Sequence, residues 1–351
     1  LVLPNRTILS LPVLRKLQDF VGAGATVIGP SPPTEASGLH DFAVRDAEVK
    51  RIAAELWGKG RVIVNRTARE VLLANGVKPD CEFTGAKPDA NLDYIHRRVG
   101  EADIYFVANR LNRREQATVT FRVADRAPEL WNAVTGERRF ATKYDCADVR
   151  TIVPLEFDPC GSWFVVFRAP ATEHPATGRA NLAQFTSLAE LSGAWAVRFD
   201  PRWGGPGAVE FPALVSWPTR TEPGIKHYSG TAVYTKTFDL PAAVNLRDRA
   251  SRCTLDLGYV RELAEVWVNG KPCGIVWSPP FRVDVTDAVR PTGNTLEVEV
   301  VNFWPNRIIG DAALSIEKRL TKTNVRELKT DTPLIESGLL GPVRLGTRKG
   351  E

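Results

Sequence analysis

The chain has 351 residues, of which 43% are hydrophobic and 25% charged, and its formal net charge is +5 from 46 basic and 41 acidic residues. This length predicts about two or three domains, each able to bury its own core. The charge excess is small and its basic runs are short, which argues against a nucleic-acid partner. No apolar stretch reaches the roughly 18–20 residues of a membrane span, so a membrane partner is not expected either.

The sequence begins at Leu1, inside a strand-like segment, and contains no Met. We therefore expect it to be a piece of a longer protein, and we expect the parent protein to be secreted or periplasmic. Five cysteines are present without the paired spacing of a zinc site. Isolated thiols are the simplest interpretation, and the bridges Cys146–Cys160 and Cys253–Cys273 stay open as alternatives.

Residues 1–80 alternate between strand and helix patterns, which predicts a partial α/β domain with a parallel sheet. Ser10 is a plausible N-cap for the first helix. The apolar stripe of that helix comprises Val13, Leu14, Leu17, Phe20 and Val21. The second helix carries Val49, Ile52, Ala53, Leu56 and Trp57.

Residues 81–172 change to a period of two and contain frequent turn residues. Strands are expected at residues 92–98, 103–109, 118–123, 151–157 and 163–168. This spacing predicts a small antiparallel β-sandwich. A stretch rich in Pro, Ala, Thr and Gly follows, and we interpret residues 173–184 as a linker.

Residues 185–347 contain many short strands and few helical stretches, which predicts a jelly-roll β-sandwich. The strongest local signal is the alternation of apolar residues around Asn269 and Gly270, in AEVWVNGKPCGIVW at residues 264–277. Asn-Gly between two apolar strands indicates a tight hairpin, and Ile275 and Trp277 resume the alternation after it. Because Trp195 and Trp267 lie in alternating strands, we expect both in the core.

Three groups of motifs occur in order along the chain. The first is YIHRR at residues 94–98 with DIYFVAN at 103–109 and PELWNAVTG at 128–136. The second is FDPRWGGP at 199–206 with SW at 216–217 and YSGTA at 228–232. The third is NFWPNRIIGD at 302–311 with SGLLGPV at 337–343. Together they resemble the C-terminal region of glycoside hydrolase family 106, the α-L-rhamnosidase-like enzymes. The hairpin and DVT at 284–286 also resemble the galactose-binding-like jelly roll of family 2 glycosidases.

The resemblance implies an enzyme that cleaves glycosidic bonds with two carboxyl groups carried by a (β/α)₈ barrel. The eight βα units of such a barrel are absent from this sequence, so we expect the barrel upstream of Leu1 in the parent chain. No catalytic acid, base or nucleophile is therefore assigned. The implied partners are that barrel and a rhamnose-containing glycan.

A sugar site needs aromatic rings that stack on apolar C–H faces, beside polar groups that pair with hydroxyls. The third motif and the Gly-rich loop of the second offer this mixture, and Pro305 suggests that the third motif forms a loop. The candidate carbohydrate-binding residues are Trp203, Trp217, Tyr228, Asn302, Trp304, Asn306, Arg307 and Asp311. The alternative is structural, because such residues also fill sandwich cores and order loops.

We expect no cofactor and no metal ligands, because no loop is dense in Asp and Asn, although a structural Ca²⁺ stays open. His227 and His96 are interpreted as packed or surface histidines, since neither has an evident catalytic partner. The sequence thus predicts the accessory region of a rhamnosidase-like glycoside hydrolase. The alternative is a stand-alone carbohydrate-binding module without catalytic activity.

Overall fold

The computed structural model describes residues 1–182, 184–244, 251–325 and 327–349. Most of its regular structure is β, arranged in several antiparallel sheets, and helices are few. The chain divides into two compact units, Leu1–Asp80 and Cys81–Glu351. No helix among the described residues is long and apolar enough to cross a membrane.

The first unit alternates short parallel strands with helices. Its elements are α1 (Leu11–Gly22), β1 (Val27–Ile28), α2 (Phe42–Leu56), β2 (Val62–Ile63) and α3 (Ala68–Ala74). Strands β1 and β2 pair in parallel, and Val2 adds a parallel bridge to Ile28. The helices lie where the apolar periodicity predicts them. Two expected core residues of α1 are nevertheless exposed, Val13 at 47% and Phe20 at 42%, because α1 turns only its Leu14–Leu17 side to the core.

The second unit begins with two antiparallel sheets around a shared core, which we call the first sandwich. Its strands are β3 (Cys81–Gly85), β4 (Leu92–Val99), β5 (Ala102–Asn109), β6 (Glu115–Phe121), β7 (Arg126–Asn132), β8 (Arg138–Phe140), β9 (Asp145–Ala147), β10 (Arg150–Phe157) and β11 (Ser162–Pro170). One sheet has the order β3-β6-β10-β9 and the other β4-β5-β11-β7-β8. Alternate residues of both sheets, including Tyr105, Phe121 and Phe167, meet in the core.

The alternation of apolar residues did not predict strand β7. It contains Pro128 and a glutamate, Glu129, that is only 4% exposed. Arg168 on the neighbouring strand β11 donates two hydrogen bonds of 2.7 and 3.0 Å to the Glu129 carboxylate. This partner makes the buried charge tolerable, and it is invisible to a pattern of local hydrophobicity.

The expected linker is attached to the first sandwich by hydrogen bonds. Asn181 is 8% exposed, and its side chain accepts a bond from Lys143 N and donates to Lys143 O and Pro154 O, at 2.7 to 2.9 Å. Ala183, also within the expected linker, lies outside the described residues. The end of the expected linker therefore contacts the first sandwich through Asn181.

The remaining residues form a second pair of sheets, which we call the second sandwich. Its elements are β12 (Gln184–Glu190), β13 (Trp195–Phe199), β14 (Ala208–Phe211), α4 (Pro223–Lys226), β15 (Thr231–Phe238), β16 (Ser251–Asp256), β17 (Tyr259–Arg261), β18 (Leu263–Val268), β19 (Lys271–Val276), β20 (Arg282–Asp284), β21 (Asn294–Val301), α5 (Pro305–Ala312), β22 (Gly338–Gly341) and β23 (Arg344–Lys349). The main sheets have the orders β12-β23-β16-β20 and β14-β13-β15-β21-β18-β19. Their facing side chains form one core around Trp195.

The Asn-Gly hairpin joins β18 to β19 as predicted. Asn269 and Gly270 both have positive φ, 54° and 76°, which is the geometry of a primed two-residue turn. The predicted position of Trp267 in the core is wrong, because Val266 and Val268 on either side point inward and leave Trp267 half-buried on the other face. Beyond the turn, Trp277 is 60% exposed.

Candidate functional site

An exposed pair of tryptophans lies at one end of the second sandwich. The rings of Trp203 and Trp304 meet edge to face, with centroids 5.4 Å apart and planes at 76°. Trp203 is 38% exposed, Trp304 48% and the neighbouring Phe303 56%. Exposed aromatic side chains that cluster in this way are typical of a binding surface. Of the predicted site residues, these two tryptophans are the ones that a ligand can reach.

Trp203 lies on a short turn that the chain holds rigidly. The turn Pro201–Trp203 begins at Asp200, whose carboxylate accepts bonds from Arg202 N at 2.9 Å and Arg202 Nη2 at 2.7 Å. These bonds lower the pKa of Asp200, so its carboxylate stays ionised at neutral pH. Gly204 ends the turn at φ 78°, and a Cβ there would lie 2.7 Å from Leu320. The backbone that carries Trp203 is therefore held by these contacts.

Trp304 immediately precedes helix α5, and this corrects the expectation of a loop. Pro305 occupies the first turn of the helix, where its missing N–H costs no hydrogen bond. Asn306, Arg307 and Asp311 follow on the helix and are at most 6% exposed. The helix thus turns its polar residues inward and leaves Trp304 at the surface.

Asn302 and Asn306 are buried, and their side chains form hydrogen bonds within the protein. The Nδ2 atoms of both donate to Ser337 Oγ, at 3.0 and 3.1 Å. Asn302 Oδ1 accepts from Gly230 N at 3.0 Å, and Asn306 Oδ1 accepts from Ile335 N at 2.9 Å. Each amide carbonyl and NH₂ group thus has a protein partner, which supports a structural role in fastening β15, β21, α5 and the segment before β22 together.

Arg307 and Asp311 form a buried ion pair within α5. Their side chains are 8% and 3% exposed, and Nε lies 3.4 Å from Oδ1. Asp311 Oδ2 also accepts bonds of 2.7 Å from both Thr321 N and Thr321 Oγ1. Burial lowers the pKa of Arg307, although the charge of Asp311 opposes that shift. The pair therefore anchors the chain around residue 321 and does not face solvent.

Trp217 and Tyr228, two of the candidate carbohydrate-binding residues, are core residues with no exposed surface. Trp217 Nε1 donates to Tyr234 Oη at 2.6 Å. Tyr228 Oη donates to Thr231 O at 2.9 Å and accepts from Asp200 N at 3.1 Å. Because their polar atoms are satisfied inside the fold, large aromatic side chains here serve packing.

His227 lies beside this network. It is half-buried, and its Nδ1 atom has no hydrogen-bond partner among the described residues. Burial, followed by the charges of Arg307 and Lys226, lowers its pKa. The imidazole is therefore neutral at pH 7.

Neither metal nor disulfide chemistry is visible in the described part of the chain. Within it, no three His, Cys, Asp or Glu side chains come together as a metal site requires. Cys146 is not bonded to Cys160 and Cys253 is not bonded to Cys273, so the two bridges left open by the sequence do not form. Burial raises the pKa of Cys253 to about 11, which keeps that thiol protonated and unreactive.

The exposed part of the site is thus an aromatic surface beside the Asp200–Arg202 ion pair. Such a surface can stack against an apolar face of a ligand, and the ion pair can exchange hydrogen bonds with hydroxyl groups. Phe303 is a residue of this surface that the sequence analysis did not select. The sequence did contain a signal for it, because Phe303 and Trp304 form a pair of adjacent aromatic residues between the end of a strand and Pro305.

Two of three comparisons with known proteins give α-L-rhamnosidases, and the third gives a different glycosidase. The family model described as α-L-rhamnosidase, glycoside hydrolase family 106, matches residues 1–145. The fold is similar to that of a solved rhamnosidase from Novosphingobium sp. PP1Y, with a TM-score of 0.77 and 36% identity over 96% of this chain and 32% of that one. A curated protein of Formosa agariphila, a putative β-glucuronidase, is 23% identical over 98% of this chain and 50% of its own length.

The chain therefore spans half of that curated relative and a smaller share of the solved rhamnosidase. By sequence over residues 1–145 and by fold over 96% of its length, it resembles the α-L-rhamnosidases of glycoside hydrolase family 106.

Proposed function

We propose that this chain is the accessory, non-barrel region of an α-L-rhamnosidase-like glycoside hydrolase, which supports a catalytic barrel and contacts carbohydrate. The observation that carries the proposal is the fold similarity to a rhamnosidase over 96% of this chain at 36% identity. The described residues contain one pair of parallel strands, β1 and β2, whereas a (β/α)₈ barrel needs eight. The bond-breaking carboxyl groups would then belong to another part of the parent protein.

The proposed organisation has a partial α/β domain at residues 1–80, a small antiparallel β-sandwich at 81–172, a linker at 173–184 and a galactose-binding-like jelly roll at 185–347. Separate hydrophobic clusters in the three larger segments support this division. A jelly roll suits an accessory role because its loops at the ends of the sandwich can carry binding residues while the sheets stay rigid.

Carbohydrate contact is proposed for the exposed pair Trp203 and Trp304. A sugar ring of the bound glycan, for which a rhamnose-containing glycan is the expected class, would stack on these indoles. The backbone that carries both rings belongs to the Asp200 turn and to the start of α5, so little backbone entropy is lost on binding. The buried residues Asn302, Asn306, Arg307 and Asp311 would hold the surface from below.

The alternative is a stand-alone carbohydrate-binding module without catalytic activity. One observation favours it: the exposed aromatic pair and the residues that position it all lie in the second sandwich. A module would bind glycan tightly by itself, whereas an accessory region would bind weakly without the rest of the enzyme.

Two measurements on the purified chain test the proposal, and the second of them separates it from the alternative. Hydrolysis of p-nitrophenyl α-L-rhamnopyranoside should not exceed the buffer rate, and robust turnover would contradict the proposal. Calorimetric titration with a rhamnose-containing oligosaccharide should give no affinity tighter than about 0.1 mM. Micromolar binding that Trp304→Ala abolishes would favour the module. Trp277→Ala is the matched control, because Trp277 is also exposed but lies after β19.

A further inference from the structure

A run of basic residues follows helix α5 in the second sandwich. Residues 318–322 read KRLTK, and we call them the basic segment. Lys318, Arg319 and Lys322 are all exposed, and no acidic residue lies between them. A cluster of exposed cations raises the local concentration of anions at a protein surface. Where the basic segment lies relative to the exposed tryptophans therefore matters for the ligand that they bind.

Two contacts hold the middle of the basic segment beside the elements that carry those tryptophans. A Cβ built at Gly204, the residue after Trp203, would lie 2.7 Å from Leu320 Cδ1. Thr321 donates from both N and Oγ1 to Asp311 Oδ2, each at 2.7 Å, and Asp311 belongs to α5. The segment is thus attached to the Asp200 turn on one side and to α5 on the other.

The cations of the basic segment are not neutralised by the protein. Lys318 and Lys322 form no ion pair with any residue that the structure describes. Arg319 donates one hydrogen bond, from Nε to Leu314 O at 3.1 Å, and that acceptor is an uncharged carbonyl. Both lysines are two residues from Leu320, so at most about 7 Å of extended chain separates each of them from the middle of the segment. All three charges are therefore available close to the aromatic surface.

The acidic residues around this surface do not cancel that charge. Asp200 pairs with Arg202 at 2.7 Å, and Asp311 pairs with Arg307 at 3.4 Å, so both pairs are neutral. The carboxylate of Glu317 forms hydrogen bonds within its own short turn, and it offsets one of the three cations. The surface keeps a net positive charge, from which an anionic ligand gains and a neutral ligand does not.

We infer that the glycan bound at this surface is anionic, and that the basic segment binds the carboxylate of a uronic acid residue next to the sugar stacked on the indoles. The inference rests on the proposed contact between carbohydrate and the pair Trp203 and Trp304. Arg319 uses only its Nε–H within the described protein, so its two NH₂ groups can bind a carboxylate in the paired geometry that a guanidinium favours. The two lysines add charge without a fixed geometry.

The test compares two disaccharides that differ by one charge, a glucuronosyl-rhamnose and its carboxyl-reduced glucosyl-rhamnose counterpart with the same linkage. Each is titrated calorimetrically into the whole chain at about 0.02 M and about 0.5 M NaCl, because the higher salt concentration screens exposed charges. The test variant combines Lys318→Gln, Arg319→Gln and Lys322→Gln. The matched control removes the same charge from exposed positions of the first unit, by Arg6→Gln, Lys50→Gln and Lys59→Gln together. Urea midpoints check that both variants are folded.

At low salt the glucuronosyl disaccharide should bind the wild-type chain with a Kd of about 1 mM, about 10-fold tighter than the neutral disaccharide. The higher salt concentration and the test variant should each abolish this preference and leave the neutral affinity unchanged. The control variant should keep the preference, and Trp304→Ala should weaken the binding of both disaccharides.

Equal affinities of the wild-type chain for the two disaccharides would overturn the inference and leave the proposed carbohydrate contact intact. A preference that persists in the test variant would also overturn it, because the charge would then be recognised elsewhere. Binding of neither disaccharide would refute the carbohydrate contact itself, and the inference with it.

Discussion

Arg307 and Asp311 lie one turn apart on α5 and form an ion pair that is almost completely withdrawn from solvent, with Nε 3.4 Å from Oδ1. The sequence offered these residues as sugar ligands. Their burial instead makes them a structural support beneath Trp304, and it makes their energetics testable.

Asp311→Ala should destabilise the chain by about 3–5 kcal/mol, because it leaves the Arg307 guanidinium buried without its counter-ion. Replacing both residues, as Arg307→Met with Asp311→Ala, should restore a large part of this loss. Urea denaturation provides the measurement. Thr321→Val is the milder control, since it removes a single bond to Asp311 and should cost about 1 kcal/mol. An Asp311→Ala variant no less stable than the double variant would contradict the ion-pair account.

Gly338→Ala should lower the free energy of unfolding of the second sandwich far more than Gly270→Ala does. Both glycines have positive φ, 104° and 76°. A Cβ at residue 338 would lie 2.5 Å from Trp217 Nε1 and 2.7 Å from Tyr234 Oη, whereas one at residue 270 meets nothing within 4 Å. We expect about 1 kcal/mol of loss at residue 270 and several times more at residue 338. Equal thermal midpoints for the two variants would show that this close packing is absent in solution.

Trp304→Ala should lower the free energy of unfolding by about 1 kcal/mol or less, because the side chain is 48% exposed. Trp217→Ala removes a side chain with no exposed surface and should cost about 3–5 kcal/mol. Chemical denaturation of both variants compares them directly. A large loss in Trp304→Ala would mean that this residue belongs to the core, and the proposed binding surface would then be wrong.

His227 should make stability fall as the solution is acidified. Burial and the neighbouring charges lower the pKa of His227 in the folded state. In the unfolded chain its pKa is about 6.5. Below that value the unfolded chain binds more protons, so the folded state loses stability as the pH falls through the lower folded pKa.

His227→Gln should therefore flatten the dependence of the urea midpoint on pH between about pH 7 and pH 5. His40→Gln serves as the control, since the His40 side chain is 88% exposed. If His227→Gln and wild type show parallel curves, the imidazole is not constrained as the structure indicates.

Much of the fold follows from local chemistry. The two-residue turn at Asn269 and Gly270 needs positive φ, which these residue types tolerate, so the hairpin was predictable. Strand β7 was not, because Glu129 interrupts its apolar pattern and is neutralised by Arg168 from another strand. A sequence pattern read over a few neighbouring residues cannot show a partner such as Arg168, which is distant in the sequence.

The candidate site, too, was predictable in some respects and not in others. Trp203 and Trp304 were selected from the sequence as residue types, but their contact depends on how the Asp200 turn and α5 meet in space. Asn302, Asn306, Arg307 and Asp311 were selected for the same polarity and turned out to be buried.

The amino-acid sequence alone determined the strand and helix periods, the turn chemistry and the motifs that resemble a rhamnosidase, because these depend on neighbouring residues. Only the tertiary structure decided which aromatic and polar side chains face solvent. That outcome depends on strand register and helix rotation, which are set by long-range packing and by partners such as Ser337 and Thr321.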